Sequence, residues 1–381
     1  MPLSYKYRQP NCDASVKELF LDSAASRDCC SRGRFFAPEW YRQSAVLIVW
    51  PTGDTPWSYM PGEITRCYVR LACEIASRQP LLVVASCRSE VEGVLRKHIP
   101  SRLLPAMEIF ECPVNDTWAR DTAFLSVITP HGTELLDFRF NGWGGKFEAA
   151  ADNAMNGMLA KGNILHGVYR DVQHFILEGG SVETDGKGTI LTTESCLLAP
   201  NRNNLPREAV EAALHDLLGA DRVLWLSHGA LEGDDTDGHI DTLARMCPGN
   251  VIAYVKCYNP EDSHFLPLEA MERELRGFRN AAGEPYTLVP LPLPRPVYDA
   301  DTSERLPATY ANYLVMNNAV LMPSYGQPDC DSAAARALGQ IFQGREIVCV
   351  PSAPLLRQHG SLHCSTMQLP WGVFQPEKNN L

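Results

Sequence analysis

Short apolar runs of strand length, each ended by Pro, Gly or a polar cluster and separated by helix-spaced segments, recur along this chain. That rhythm restricts the fold more than any other feature. Ala45–Trp50 (AVLIVW) closes on Pro51, and Pro80–Ser86 (PLLVVAS) reads as a second buried strand. Met107–Cys112, Ala123–Ile128, His174–Glu178, Thr189–Leu198, Arg222–Leu226, Val251–Val255, Tyr286–Leu293 and Glu346–Pro351 follow the same pattern. Tyr313–Pro323 reads as two strands joined through the turn-prone pair Asn317-Asn318. Helical spacing marks Arg66–Arg78, Ser89–His98, Asp152–Ala160, Pro206–Leu218, Leu268–Phe278 and Ser332–Phe342. Pro206 opens one of these helices and Gly219 follows its end. Strand, strand, helix, strand therefore repeats without a sequence repeat. A chain of 381 residues has length for two or three domains. No Pro/Gly/Ser-rich linker divides it, so it reads as one large α/β domain over 34–381 behind an irregular extension over 1–33.

Composition narrows the function classes. With 45% hydrophobic and 21% charged residues, the chain can build a core. The net charge of -11 argues against nucleic acid as a partner and suits a small cationic molecule. No apolar run approaches membrane-spanning length, so no membrane partner is expected. Thirteen cysteines, no Cys-x-x-Cys pair and an N-terminus without an apolar signal core read as a cytoplasmic, reduced protein. Most of these cysteines read as small buried hydrophobes, leaving one or two for chemistry.

Polar residues concentrate in five segments beside strand ends. They are Asn115-Asp116-Thr117-Trp118-Ala119-Arg120-Asp121; Asn141-Gly142-Trp143-Gly144-Gly145-Lys146; and Leu177-Glu178-Gly179-Gly180, with Thr192-Thr193-Glu194 and Asn201-Arg202-Asn203 after it. The remaining two are Asp234–Asp241 (DDTDGHID) and Gly360–Thr366 (GSLHCST). His239 and Asp241, two apart, share one face if the segment is extended, and carboxylates nearby favour a protonated imidazole, as a general acid needs. The same run reads equally as a solvated acidic loop or a Ca²⁺ site, although the EF-hand spacing does not fit. Taken singly, Cys364 reads as packing, Glu178 equally as a solvent-facing turn residue or a functional one, Asp121 as a partner of Arg120 or another neighbour, and Trp118 and Trp143 as core aromatics. Taken together, a Cys, a His, a Glu to orient it and two Asp form a set suited to a planar cation. Two carboxylates can clamp a guanidinium from two edges and hold its carbon against a thiolate, with no metal required.

These segments resemble the agmatine deiminase and bacterial-type peptidylarginine deiminase family of the guanidine-modifying superfamily. The resemblance begins at Pro38-Glu39-Trp40 and Trp50-Pro51. It runs through NDTWARD, FNGWGGK, LEGG, TTE, NRN and TDGHID to HCSTMQLP, ending at Pro370. It implies a five-bladed pseudo-symmetric α/β propeller in a single domain. It also implies a C–N hydrolase that converts agmatine to N-carbamoylputrescine and ammonia, without a cofactor, through a covalent amidino-cysteine. Carried over position by position, Cys364 is the nucleophile, His239 the general acid and base, and Glu178 its orienter. Asp121 and Asp241 are the guanidinium clamp, Trp118 packs on the substrate, Asp235 faces its free amine, and Asn312 supports the site. The stretch Gln358-His359-Gly360-Ser361 replaces the family's usual glycine-rich run, and Ser365–Gln368 also departs from it. Both keep other guanidines and peptidyl-arginine open as substrates. An amidinotransferase and a non-catalytic guanidine-binding protein of the same fold are the other classes. The sequence leaves the oligomeric state open, a homo-oligomer included.

Overall fold

The computed structural model describes residues 33–376, so apart from Gly33 the extension expected over 1–33 lies outside the described residues. Five sheets of three or four strands, with one two-stranded ribbon, make up the described chain. All five sheets share a pairing scheme. Val182–Thr184 runs antiparallel to Thr189–Thr193, which pairs in parallel with Arg222–Leu226 after the helix Arg207–Leu218. Ala244–Cys247, Val251–Lys256 and Thr287–Pro292 repeat this around the helix Phe265–Gly277. Leu314–Val315, Ala319–Ser324 and Glu346–Pro351 repeat it around Pro328–Ile341. Leu125–Thr129, Gly132–Arg139 and Val168–Ile176 repeat it around Ala150–Lys161. In the fifth sheet the antiparallel strand comes from far along the chain. Thr366–Pro370 pairs with Gln43–Val49, which pairs in parallel with Leu81–Ala85 across the helix Pro61–Ala76. Each parallel step needs a crossover, and the helices supply it.

The local reasons are those the sequence suggests. Gln43–Val49 and Leu81–Ala85 are buried along their whole length, as continuous apolar strands must be. Ile64, Cys67, Tyr68, Leu71, Ala72 and Ile75 place one apolar stripe of the helix Pro61–Ala76 inward. Gly219 takes φ 72° just past its helix, a left-handed cap. The ribbon expected across Asn317-Asn318 forms. Three expectations shift. Thr189–Leu198 stops being strand at Thr193, whose hydroxyl accepts from the Cys196 N–H and opens a short helix Glu194–Leu197. The helix expected from Leu268 begins at Phe265 and takes Pro267 into its first turn, where a missing N–H is harmless. Val182–Thr184, Ala244–Cys247 and Gly132–Arg139 carry too many polar residues to read as strands. Among the described residues no helix is long and apolar enough to cross a membrane.

Two of those unread strands carry a buried ion pair. Arg245 Nε meets Glu183 Oε1 at 2.5 Å, and its terminal nitrogens reach Glu39 at 3.3 Å and donate to the Ala311 and Tyr313 carbonyls. Its side chain is 1% exposed, as is that of Glu183. Removing one partner from such a group leaves uncompensated charge in a poor solvent. Arg245→Met is expected to lower unfolding free energy by about 3–5 kcal/mol in urea titrations at neutral pH. A loss no larger than that of an exposed Arg→Met control contradicts this account.

Candidate active site

Residue 180 has to be glycine. A Cβ there would lie 2.6 Å from His239 Nδ1, 2.9 Å from Asp121 Oδ1 and 3.1 Å from Asp241 Oδ2. Side chains from separate segments thus converge on one point. Asp121 comes from the short helix Ala119–Thr122, and Gly180 from the turn Gly179–Ser181. His239 and Asp241 do not lie on an extended strand as their spacing suggested. His239 caps a single helical turn, Ile240–Thr242, which carries Asp241.

Each carboxylate divides its oxygens. Asp121 Oδ2 accepts from Trp143 Nε1 at 3.0 Å. Its Oδ1 accepts from the Gly180 N–H at 3.0 Å and lies 3.6 Å from His239 Nδ1. Asp241 Oδ2 accepts from His363 Nδ1 at 2.8 Å and Asn312 Nδ2 at 3.2 Å, while Oδ1 is buried with no hydrogen-bond partner. Trp143 holds its post at φ 52°, strained for a bulky residue. Asn312 also donates to Cys364 Sγ at 3.1 Å, and its Oδ1 accepts from the backbone N–H of His363 and of Cys364. Cys364 Sγ lies 3.7 Å from Asp241 Oδ2. Cys364, His239, Glu178, Asp121, Asp241 and Asn312 are therefore brought together.

Electrostatics follow from burial and neighbours. Burial pushes the Cys364 thiol well up, and the Asp241 and Asp121 carboxylates add to it. Burial would push the His239 imidazole down, but Asp121, Cys196 and Glu178 more than reverse this and hold its proton well above the usual range. Burial raises the Asp121 carboxyl, with His239 opposing. Asp241 is held low despite burial, chiefly by His363. Glu178 is no solvent-facing turn residue, being 0% exposed. Burial raises its carboxyl, opposed by Arg202, whose Nε lies 2.7 Å away. A Glu178 oxygen, a His239 ring nitrogen and Cys196 Sγ lie within 4.8 Å of one another, but no hydrogen bond joins Glu178 to His239. Its action on the ring is through charge.

Cys364 and Asp121 line a cleft of about 280 Å³ together with Asp116, Trp118, Trp143, Phe147, Asp235, Arg357, Gln358, His359 and Gly360. Trp118 forms one wall, tilted on Trp57 at 5.8 Å between ring centroids. A Cβ at Gly360 would overlap its ring. Burial raises the Asp116 and Asp235 carboxyls to about 6 each; His359 and Lys146 oppose the shift at Asp235. Asp237, in the same acidic run, is already occupied by Lys146 at 2.7 Å and Arg202 at 3.0 Å. Asp234 accepts from the Thr236 hydroxyl and the Gly238 N–H and shapes the loop. Arg120 does not pair with Asp121; it meets Glu39 at 3.1 Å and Gln368. Glu194, from the TTE segment, pairs with Arg207 outside the site.

Sequence reasoning missed Arg245, gave no individual role to Asp116 or His363 although both lie in polar segments it singled out, and took His359 only as part of the altered run before Cys364. Asp116 was visible in NDTW and His363 beside Cys364, but which cavity they meet depends on other segments. Among the described residues two groups have metal-binding ligand types, Glu178–Cys196–His239 and Glu39–Glu183–His363. Arg202 already compensates the first and Arg245 and Arg120 the second, so a metal ion would meet a guanidinium in place.

A buried thiol, an imidazole holding its proton and paired carboxylates gathered in a mixed α/β fold suit a hydrolase acting on guanidino C–N bonds. The chain belongs to the Porphyromonas-type peptidyl-arginine deiminase family, whose pattern matches residues 35–370. It is 35% identical to the agmatine deiminase of a Pseudomonas putida strain over 356 residues, 87% of this chain and 94% of that protein. Among solved structures, a Porphyromonas gingivalis protein provisionally named an arginine deiminase is 46% identical. It superposes with a TM-score of 0.84 over 90% of this chain and 100% of that one. A substrate-bound agmatine deiminase of C. jejuni is 35% identical, with a TM-score of 0.82 over 90% of this chain and 97% of its own.

The raised Asp116 carboxyl makes a prediction. Its folded value of about 6 exceeds the ordinary 3.8, so its favourable contribution is present below pH 4 and disappears as pH rises through 6. Asp116→Asn is expected to raise the melting temperature more at pH 8 than at pH 4.5. An equal shift at both pH values rules the assignment out.

Proposed function

We propose that this chain is an agmatine deiminase, hydrolysing the guanidinium of agmatine to N-carbamoylputrescine and ammonia. The observation that carries the reading is the convergence of Asp121, His239 and Asp241 around Gly180, with Cys364 Sγ at their edge. A guanidinium fits between Asp121 and the unpartnered Oδ1 of Asp241, each carboxylate taking one N–H edge. Its positive charge lowers the thiol's pKa against the two carboxylates that raise it. The Cys364 thiolate attacks the guanidinium carbon. His239 delivers its proton to the departing nitrogen, ammonia leaves, and the C–S bond of an amidino-cysteine remains. Water then attacks with His239 as base, the C–S bond breaks, and the ureido product departs. Glu178 supports the charged His239, Asn312 holds the nucleophile loop, Trp118 packs along the alkyl chain, and Asp235 faces the distal amine.

The five sheets are read as blades of a pseudo-symmetric propeller in a single domain over 34–381. The repeated antiparallel-then-parallel pairing supports this, and so does the seam between Thr366–Pro370 and Gln43–Val49. Free arginine is the second substrate reading, favoured by the name of the 46% identical P. gingivalis protein.

A colorimetric ureido assay across agmatine, arginine and a blocked arginine peptide tests the activity. Agmatine is expected to give the highest kcat/KM, and Cys364→Ala to lose at least about 10³-fold of it. A cationic haloacetamidine is expected to label Cys364 faster than neutral iodoacetamide. Near-normal ureido formation by Cys364→Ala would falsify the nucleophile assignment.

A further inference from the structure

The cleft contains a second pair of acids whose neighbours differ from those of Asp121. Asp116 and Asp235 each have a carboxyl raised by burial, and the Asp235 charge raises Asp116 further. The cations beside them are already committed. Lys146 Nζ lies 2.7 Å from Asp237 and donates to the Asp235 carbonyl at 2.6 Å. Arg357 is held by Asp299 at 2.9 Å and by Asp301. Among the described residues, this end of the cleft therefore offers carboxylates to a ligand while Lys146 and Arg357 are already paired, which favours an ammonium and disfavours a carboxylate.

His359 closes this region, and its placement is heavily determined. Its backbone takes φ 64°, unusual for a residue with a Cβ. Its Nδ1 donates to the Gly233 carbonyl at 2.6 Å, tying it to the loop that carries Asp235. The next residue, Gly360, abuts Trp118 so closely that no side chain fits. The roof over the cleft is thus pinned on both sides. With Nδ1 acting as donor, Nε2 can accept a hydrogen bond once a ligand ammonium takes over from the ring the positive charge that Asp235 faces. Among the described residues Nε2 has no hydrogen-bond partner, and His359 lines the cleft.

We propose that His359 is a specificity-determining residue whose Nε2 accepts a hydrogen bond from a primary ammonium at the substrate's far end, beside Asp235 and Asp116. The substrate class is then an ω-aminoalkylguanidine without a carboxylate next to the amine. This inference rests on the guanidine-deiminase reading of the site, so its test separates recognition from turnover.

Recognition is read by calorimetry on Cys364→Ala, alone and combined with His359→Gly or His359→Asn. Glycine relieves the backbone, and asparagine tolerates it while being too short to span the cleft. Two probes of equal length are used, 4-aminobutylguanidine and butylguanidine. Losing a hydrogen bond to a charged group is expected to raise Kd for 4-aminobutylguanidine about 10- to 100-fold, and that for butylguanidine less than about 2-fold. Equal weakening of both probes would mean that the ring only supports the roof, and unchanged affinity for both that it touches neither; either result overturns the proposal. Ureido formation by the unmodified protein is measured in parallel. Its absence with both compounds would sink the deiminase reading, while the affinities would still decide the role of His359.

Discussion

Arg245 brings to the base of the cleft a charge that four surrounding segments share. Its guanidinium joins Glu183 from one strand and Glu39 from the segment before the first long strand, and it donates to the carbonyls at Ala311 and Tyr313. It also approaches His363 Nε2 at 2.9 Å. His363 in turn contacts Glu39 at 3.0 Å and, through Nδ1, holds Asp241. The nucleophile follows His363 directly in sequence. A buried guanidinium tolerates few geometries, because each unmet N–H is costly in a poor solvent. Satisfying Arg245 therefore fixes where Glu39, His363 and, through them, Asp241 and Cys364 can sit.

Above this base the site is unbalanced toward negative charge. Asp121, Asp241 and Glu178 are buried, and they face one protonated imidazole and one guanidinium, Arg202. The thiol is pushed up by burial and by both aspartates. Such an arrangement is poised to gain a cation, which would relieve the repulsion among carboxylates and activate the thiol together. Strain is concentrated in the same place. Trp143 stays at positive φ because its indole N–H serves Asp121 and its ring packs edge-on against Phe140 and Phe147.

Legibility differed by kind of residue. Apolar strands such as Ala45–Trp50 and Pro80–Ser86 were plain, since burial on both faces demands a continuous apolar run. Val182–Thr184 and Ala244–Cys247 were not, because Glu183 and Arg245 break that pattern and make sense only as each other's partner. The motif residues Cys364, His239, Glu178, Asp121 and Asp241 could be picked out together by resemblance to a family. The periodicity argument for His239 and Asp241 named two neighbours of the site but took the wrong backbone, since a helical turn also lets residues two apart approach one center. Within the acidic run, residue type does not separate Asp235, which lines the cleft, from Asp237, which Lys146 and Arg202 occupy.

The sequence by itself determined the α/β rhythm and the set of chemical groups available, because apolar periodicity and residue type are local properties. Among the thirteen cysteines it was the family resemblance, not residue spacing, that pointed to Cys364. Only the tertiary structure decided which oxygen of Asp241 stays unpartnered and that Glu178 meets Arg202. The same holds for His359, turned onto Gly233 beside Asp235. Those outcomes depend on contacts between segments tens to hundreds of residues apart. Their energies come from desolvation and hydrogen-bond geometry at the meeting point, which no single stretch of chain encodes.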